Sequence, residues 1–234
     1  MKKKSLILLL LMAFCVMPSP LRAQDLPEYR MEIGVGGGVI GYLGDFNGNI
    51  IKNIQPAATI AARYNMNSYT GFKLNLTYGK LKGKSTDVGT YYPEYAGKTL
   101  EFSNPMIEMN VAFEYNLVPY GTGREYRGAK RLAPYITMGL GANYIKVSKP
   151  EKRNVFTANV PLGLGLKYKI GDRTNLGVEW AMHFSLSDRL DGVKDPYSIK
   201  SSGIFKNTDC YSTLLITASY SFMEKCRVCH NEYE

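Results

Sequence analysis

Cysteine is scarce in this chain, tryptophan occurs once, and long apolar runs are almost missing. Only Cys15, Cys210, Cys226 and Cys229 carry thiols, and the one indole is Trp180. If Cys15 leaves with an N-terminal leader, three thiols remain, an odd number for an oxidising compartment, so one is left single or bonds another chain. After the first apolar stretch, no run is long enough to cross a membrane as a helix. A large excess of charge is missing too. The formal +9 falls to about +5 once Lys2, Lys3, Lys4 and Arg22 are removed. A residue of that size spread over loops does not argue for nucleic acid, and it suits phosphate-rich lipid headgroups or an acidic protein surface. There is no internal repeat and no low-complexity tract.

The N-terminus sets the compartment. Lys2, Lys3 and Lys4 precede an apolar run from Leu6 to Val16, broken by Pro18, Ser19 and Pro20 before Leu21, Arg22 and Ala23. Basic, apolar and breaker segments in that order predict a secretory signal peptide over residues 1–23, cut after Ala23. Phe14 directly before Cys15 is a poor fit to lipoprotein processing. The mature chain then divides into a body over 24–222 and a cysteine-containing tail over 223–234.

What the chain does contain is alternation. From Thr174 to Ser187, Leu176, Val178, Trp180, Met182, Phe184 and Leu186 share one parity, while Asn175, Gly177, Glu179, Ala181, His183 and Ser185 share the other. Strand side chains alternate faces, so one face is apolar throughout and the other small or polar. Seven further segments read the same way: Met31 to Gly41, Gln55 to Asn65, Gly71 to Leu81, Asn104 to Leu117, Ala133 to Ile145, Phe156 to Ile170 and Tyr211 to Phe222. With no second apolar layer for these faces to meet, the pattern predicts an all-β, eight-stranded antiparallel up-and-down transmembrane barrel of the small OmpA or OmpX kind. Each strand is long enough to span a bilayer when tilted, and an even count closes without a free edge. Gly34, Gly36 and Gly38 on the inward side of the first strand imply that something bulky approaches there.

Connection lengths give the orientation. Asn65 to Thr70 and Gly171 to Arg173 are short, whereas Lys82 to Ser103 and Ser187 to Asp209 are long and polar. Short periplasmic turns alternating with long outer loops place both termini in the periplasm. Val118 to Leu132 departs from the rule, being long and carrying Arg124, Arg127, Lys130 and Arg131 against Glu125. It reads either as a solvated basic loop or as a docking surface for a periplasmic partner. Tyr64, Tyr78, Tyr115, Tyr144, Tyr168, Tyr220 and Phe222 lie at strand ends, where amphipathic rings favour the membrane interface. Tyr220 and Phe222 in the last strand also resemble the signal read by the barrel-insertion machinery.

The inward parity collects Glu32, Arg63, Lys73, Glu108, Glu114, Lys167, Glu179 and His183. A barrel of eight strands has room only for its own side chains, so these charges predict a paired lumen network and not a conduction path. His183 and Ser185 form a His-x-Ser pair weakly similar to that of lipid A deacylases. Such chemistry needs both side chains facing lipid, and the parity here turns them inward. In the tail, Cys226-Arg-Val-Cys229-His230 is a c-type haem attachment string, but a short polar tail offers neither apolar pocket nor second axial ligand. A local disulfide, a bond to a partner and a zinc site with three local ligands are the competing readings. The reading carries no cofactor and no catalytic residue.

A longer series of residues carries a family likeness. Glu32-Ile-Gly34, Tyr42-Leu43-Gly44-Asp45-Phe46-Asn47, Arg63-Tyr-Asn65, Leu76-Thr-Tyr-Gly79, Pro134-Tyr135, Leu162 to Tyr168, Asp172 to Trp180, Ser187 to Gly192 and Cys210-Tyr-Ser212 are spaced over the whole mature chain. This series resembles the PorG-like outer-membrane barrels of Bacteroidota, departing at Cys210, where tryptophan is expected. The resemblance implies a non-enzymatic subunit of the type IX protein secretion apparatus, which contacts the periplasmic ring formed by a lipoprotein and its partner subunit and does not itself conduct cargo. By topology the contact candidates are Arg124, Arg127, Lys130, Arg131, Cys226 and Cys229. A lipid A-modifying enzyme and a general structural barrel are the alternatives.

Overall fold

The computed structural model describes residues 27, 29–44, 49, 51–84, 101–121, 129–147, 153–186, 190 and 209–224. Eight strands follow in order: β1 Tyr29–Leu43, β2 Gln55–Asn65, β3 Thr70–Lys84, β4 Glu101–Asn116, β5 Leu132–Val147, β6 Arg153–Lys169, β7 Thr174–Ser185 and β8 Cys210–Glu224. Each pairs antiparallel with the next, and β8 returns to β1 to close the barrel. The connections β2–β3, β4–β5 and β6–β7 share one end with the chain termini, called here the turn end. The opposite rim is the loop end.

Alternation fixes the two surfaces. Leu140 and Phe156 on the outside are 72% and 76% exposed, while Glu114 and Glu108 inside are 0% exposed. An apolar exterior around a charged interior inverts the arrangement that water selects, and a continuous apolar belt of this kind is matched by lipid. Rings border the belt at both ends: Tyr64, Tyr115, Tyr168 and Tyr220 toward the turns, Tyr78 and Tyr144 toward the loops, all exposed. The lone indole, Trp180, lies within the belt and donates its N–H to the Ser212 hydroxyl at 2.8 Å, so its polar atom is satisfied although it faces lipid.

The closing seam is tight. A Cβ on Gly36 would fall 2.5 Å from the Ile216 carbonyl of β8, so the bulky neighbour is the last strand's own backbone. Gly165 leaves room for Tyr135, whose hydroxyl oxygen would lie 2.5 Å from a Cβ there.

The strands run further toward the loop end than the alternation of lipid-facing residues predicts. β3 continues to Lys84 and β4 begins at Glu101, across positions expected to be loop. Here the pattern is reversed, with Lys80 and Lys82 outward and Leu81 inward and fully buried. Beyond the lipid, the outer face meets water and the inner face becomes a small apolar core of Ile40, Tyr42, Leu81, Phe102, Met106, Ile145 and neighbours. β7 is the exception at this end: it stops at Ser185, two residues short of the expected Ser187.

Candidate functional site

The charge network of the lumen takes one ionisable side chain from each of six strands. Arg63 of β2 donates to Glu32 Oε2 of β1 at 2.5 Å and, through Nε, to Glu114 Oε2 of β4 at 2.7 Å. Lys167 of β6 reaches the same Glu114 oxygen at 2.6 Å, and Lys73 of β3 reaches Glu114 Oε1 at 3.4 Å. Lys73 also pairs with Glu179 of β7, whose Oε2 accepts the Tyr135 hydroxyl at 2.7 Å. Three cations and three carboxylates thus share one network centred on Glu114, with the Tyr135 ring 4.6 Å beneath the Lys167 ammonium. Charges taken from water are tolerable only when paired in this way.

Further toward the loops along β4 and β7, Glu108 Oε1 meets His183 Nδ1 at 2.8 Å and accepts from Asn110 and Asn159 at 3.0 and 3.2 Å. The other imidazole nitrogen, Nε2, lies 3.0 Å from Thr213 Oγ1, and the ring stacks on Tyr211. Acid, imidazole and hydroxyl in this order is the arrangement of an activated nucleophile. The cavity beside it, however, is about 10 Å³, too small for a substrate. Ser185, 0% exposed, lies 3.3 Å from the Thr157 hydroxyl. Among the described residues no group of three or more His, Cys, Asp or Glu side chains could hold a metal ion.

Both mouths are filled by the chain itself. At the turn end Tyr120, from the β4–β5 connection, is held by its N–H to the Ser68 carbonyl at 3.0 Å and by its hydroxyl to Asn175 Oδ1 at 3.0 Å. Burial pushes its phenol pKa up. The space left beside it is a cavity of about 20 Å³. At the loop end Tyr42 donates to Asp209 Oδ1, while Asp209 Oδ2 accepts the Leu190 N–H at 2.8 Å. The Leu190 carbonyl accepts from Asn104 at 3.2 Å, and Leu190 itself is fully buried.

That latch brings together three separate stretches of the spaced series: Tyr42 and Gly44 from the first, Leu190 from the Ser187–Gly192 stretch, and the Cys210–Ser212 stretch through its neighbour Asp209. A Cβ on Gly44 would fall 2.5 Å from Asp209 Oδ1, so the glycine is what admits the carboxylate. Leu43 pairs in register with Cys210; Asp45, Phe46 and Asn47 lie outside the described residues. Lys130 and Arg131 are exposed at the turn end, where the Arg131 carbonyl accepts the Lys169 N–H at 2.9 Å. Arg124, Arg127, Cys226 and Cys229 lie outside the described residues, as do the leader and most of the tail. Tyr220 is exposed and Phe222 half-buried on the outer face, near the turn end. The plugs at Tyr120 and Leu190 are not visible in strand alternation, because both come from connections.

A closed antiparallel barrel with a lipid-matched exterior and a self-filled lumen defines the class: this is an eight-stranded barrel of the outer-membrane kind. Within that class, the chain belongs to the family described as Domain of unknown function (DUF6089), whose model matches residues 5–231. No curated protein matches the sequence. Among solved structures, Neisserial surface protein A is similar over 82% of this chain and 97% of its own, with a TM-score of 0.50 and 12% identity. Ail of Yersinia pestis, solved with the heparin analogue sucrose octasulfate, is similar over 83% and 99% with a TM-score of 0.49 and 11% identity. At 12% identity the likeness to Neisserial surface protein A is one of fold.

Proposed function

We propose that the protein is a non-enzymatic outer-membrane subunit of a type IX protein secretion apparatus, with both termini in the periplasm, that anchors or positions the periplasmic ring. The observation that carries this reading is the filled lumen: with Tyr120 in one mouth and the Tyr42–Asp209–Leu190 latch in the other, the barrel offers surfaces and not a passage. The spaced series resembling PorG-like barrels supplies the apparatus. Lys130 and Arg131, exposed at the turn end, together with Arg124, Arg127, Cys226 and Cys229, are the proposed contacts for the ring lipoprotein and its partner subunit. Residues 1–23 direct export, and Tyr220 and Phe222 present the strand to the barrel-insertion machinery.

Crosslinking in intact outer membranes followed by mass spectrometry tests the reading. The ring subunits should be recovered, Lys130→Glu with Arg131→Glu should lower their yield, and deletion should block export of many proteins. Recovery of barrel chaperones alone would sink it. Unchanged export with altered lipid A acylation, lost in Ser185→Ala, would instead favour a lipid-modifying enzyme, and neither effect a general structural barrel.

A further inference from the structure

On the outer face of β3, β4 and β5, at the loop-end border of the belt, two lysines align with two of the bordering rings. Tyr78 pairs in register with Ile107, and Ile107 with Tyr144, so these three form one row across the strands. In the next outward row toward the loop end Lys80 pairs with Pro105, and the same β4–β5 register, which sets Met106 against Ile145, brings Lys146 to the other side of Pro105. Tyr78, Ile107, Tyr144, Lys80 and Lys146 are all exposed. Because β3 and β5 lie two strand spacings apart, about 10 Å, the result is a trough. Its walls are Tyr78 with Lys80 and Tyr144 with Lys146; its floor is Ile107 and the compact Pro105.

The charges of this trough are not internally neutralised. Farther along β3, Lys82 and Lys84 share Glu101 at 3.3 and 3.9 Å. Neither Lys80 nor Lys146 has an ion-pair partner among the described residues. Below the tyrosines the floor continues as Met109, between Leu76 and Ala142 in register. Passing outward, the order is therefore apolar channel, paired aromatic rings, then two ammonium groups on either side of a groove. A soluble anion would use the lysines and leave the channel idle, and an apolar chain would do the reverse. A molecule with a phosphate joined to acyl chains uses both.

We propose that this trough binds a phosphorylated lipid of the leaflet at the loop end, its phosphate between the Lys80 and Lys146 ammonium groups and an acyl chain along Ile107 and Met109. The site rests on the membrane-spanning reading and on no assumption about secretion. It adds to the barrel a defined lipid contact on one side of its circumference, which orients that side toward anionic headgroups.

Native mass spectrometry of the full-length barrel in detergent, titrated with diphosphoryl lipid A, reads the site directly. Lys80→Gln with Lys146→Gln should weaken binding roughly tenfold, and dephosphorylated lipid A should lose a similar factor on the wild type. Arg173→Gln, which removes a cation from the opposite end, should bind as the wild type does. Equal affinity of the lysine double variant and the wild type, equal binding of the dephosphorylated lipid, or displacement by inorganic phosphate at millimolar level would each overturn the site. Protease protection of the same proteins in phosphatidylcholine vesicles separates the two failures. A wild type that inserts but binds no better than the variant overturns the trough alone, whereas a wild type that fails to insert overturns the membrane reading and the trough with it.

Discussion

The two halves of the lumen solve the same packing problem with opposite chemistry. Toward the turns, the interior is a network of Glu32, Arg63, Lys73, Glu114, Lys167 and Glu179; toward the loops, it is apolar, with Leu81, Met106 and Ile145 fully buried or nearly so. The difference follows from what lies outside each half. Where lipid surrounds the barrel, the apolar residues of each strand are spent on the exterior, and the inward parity is left with polar groups that must pair. Where the strands rise beyond the lipid, the outward parity can be lysine, and the interior reverts to an ordinary apolar core. The charged half is held by specific pairs and the apolar half by volume, so their failure modes should differ.

The largest effect is expected from Glu114→Gln, which leaves Arg63, Lys73 and Lys167 sharing only Glu32 and Glu179. Uncompensated buried charge should cost about 3–5 kcal/mol, read as a shift in the urea midpoint of vesicle-embedded barrel; a loss under 1 kcal/mol would mean that water already screens the network. Next, Leu81→Ala should cost about 2–4 kcal/mol through the cavity it leaves, and unlike Glu114→Gln its cost should be insensitive to salt. Tyr42→Phe removes one hydroxyl donor from the Asp209 carboxylate, for about 1–3 kcal/mol. Its signature should be faster proteolysis between Leu190 and Asp209, with the charged half unaffected. The smallest effect belongs to Ser212→Ala, which deprives the Trp180 indole of its acceptor for about 0.6 kcal/mol, seen as a change in the emission of the only tryptophan with little change in stability.

Strand number, parity and the bounds of β2 were legible from alternation because the lipid imposes it on every strand that crosses. The inward direction of Glu32 through Glu179 follows from the same rule, and the structure adds who pairs with whom, which depends on barrel stagger and not on any local pattern. Alternation misleads where the solvent changes. The third segment stops at Leu81 when apolar is equated with outward, although the period of two runs on intact through Lys80-Leu81-Lys82 and only its sense is inverted. Ile145 and Val147, apolar on the lumen parity after Asn143, carry the same signal on β5. Tyr120 and Leu190 could not be found this way at all, since a residue in a connection has no face until the connection folds back across the mouth. The trough on β3 to β5 lay between these cases: Tyr78 and Tyr144 were visible singly as interface rings, but only the register sets Lys80 and Lys146 beside them.

The register of the charged half also bears on how the barrel enters a membrane. Glu32 lies directly opposite Arg63 in the β1–β2 pair. In the β3–β4 pair Lys73 faces Ala112, two places from Glu114, and in the β6–β7 pair Lys167 faces Gly177, two places from Glu179. Every one of these hairpins therefore contributes one carboxylate and one cation of the network at matching depth. Strands delivered to the bilayer as the β1–β2, β3–β4 and β6–β7 hairpins, with β5 and β8 joining singly, would carry their network charges already cancelled, so that this order of assembly avoids a stage at which a lone charge of this network must wait in lipid for a partner from across the barrel.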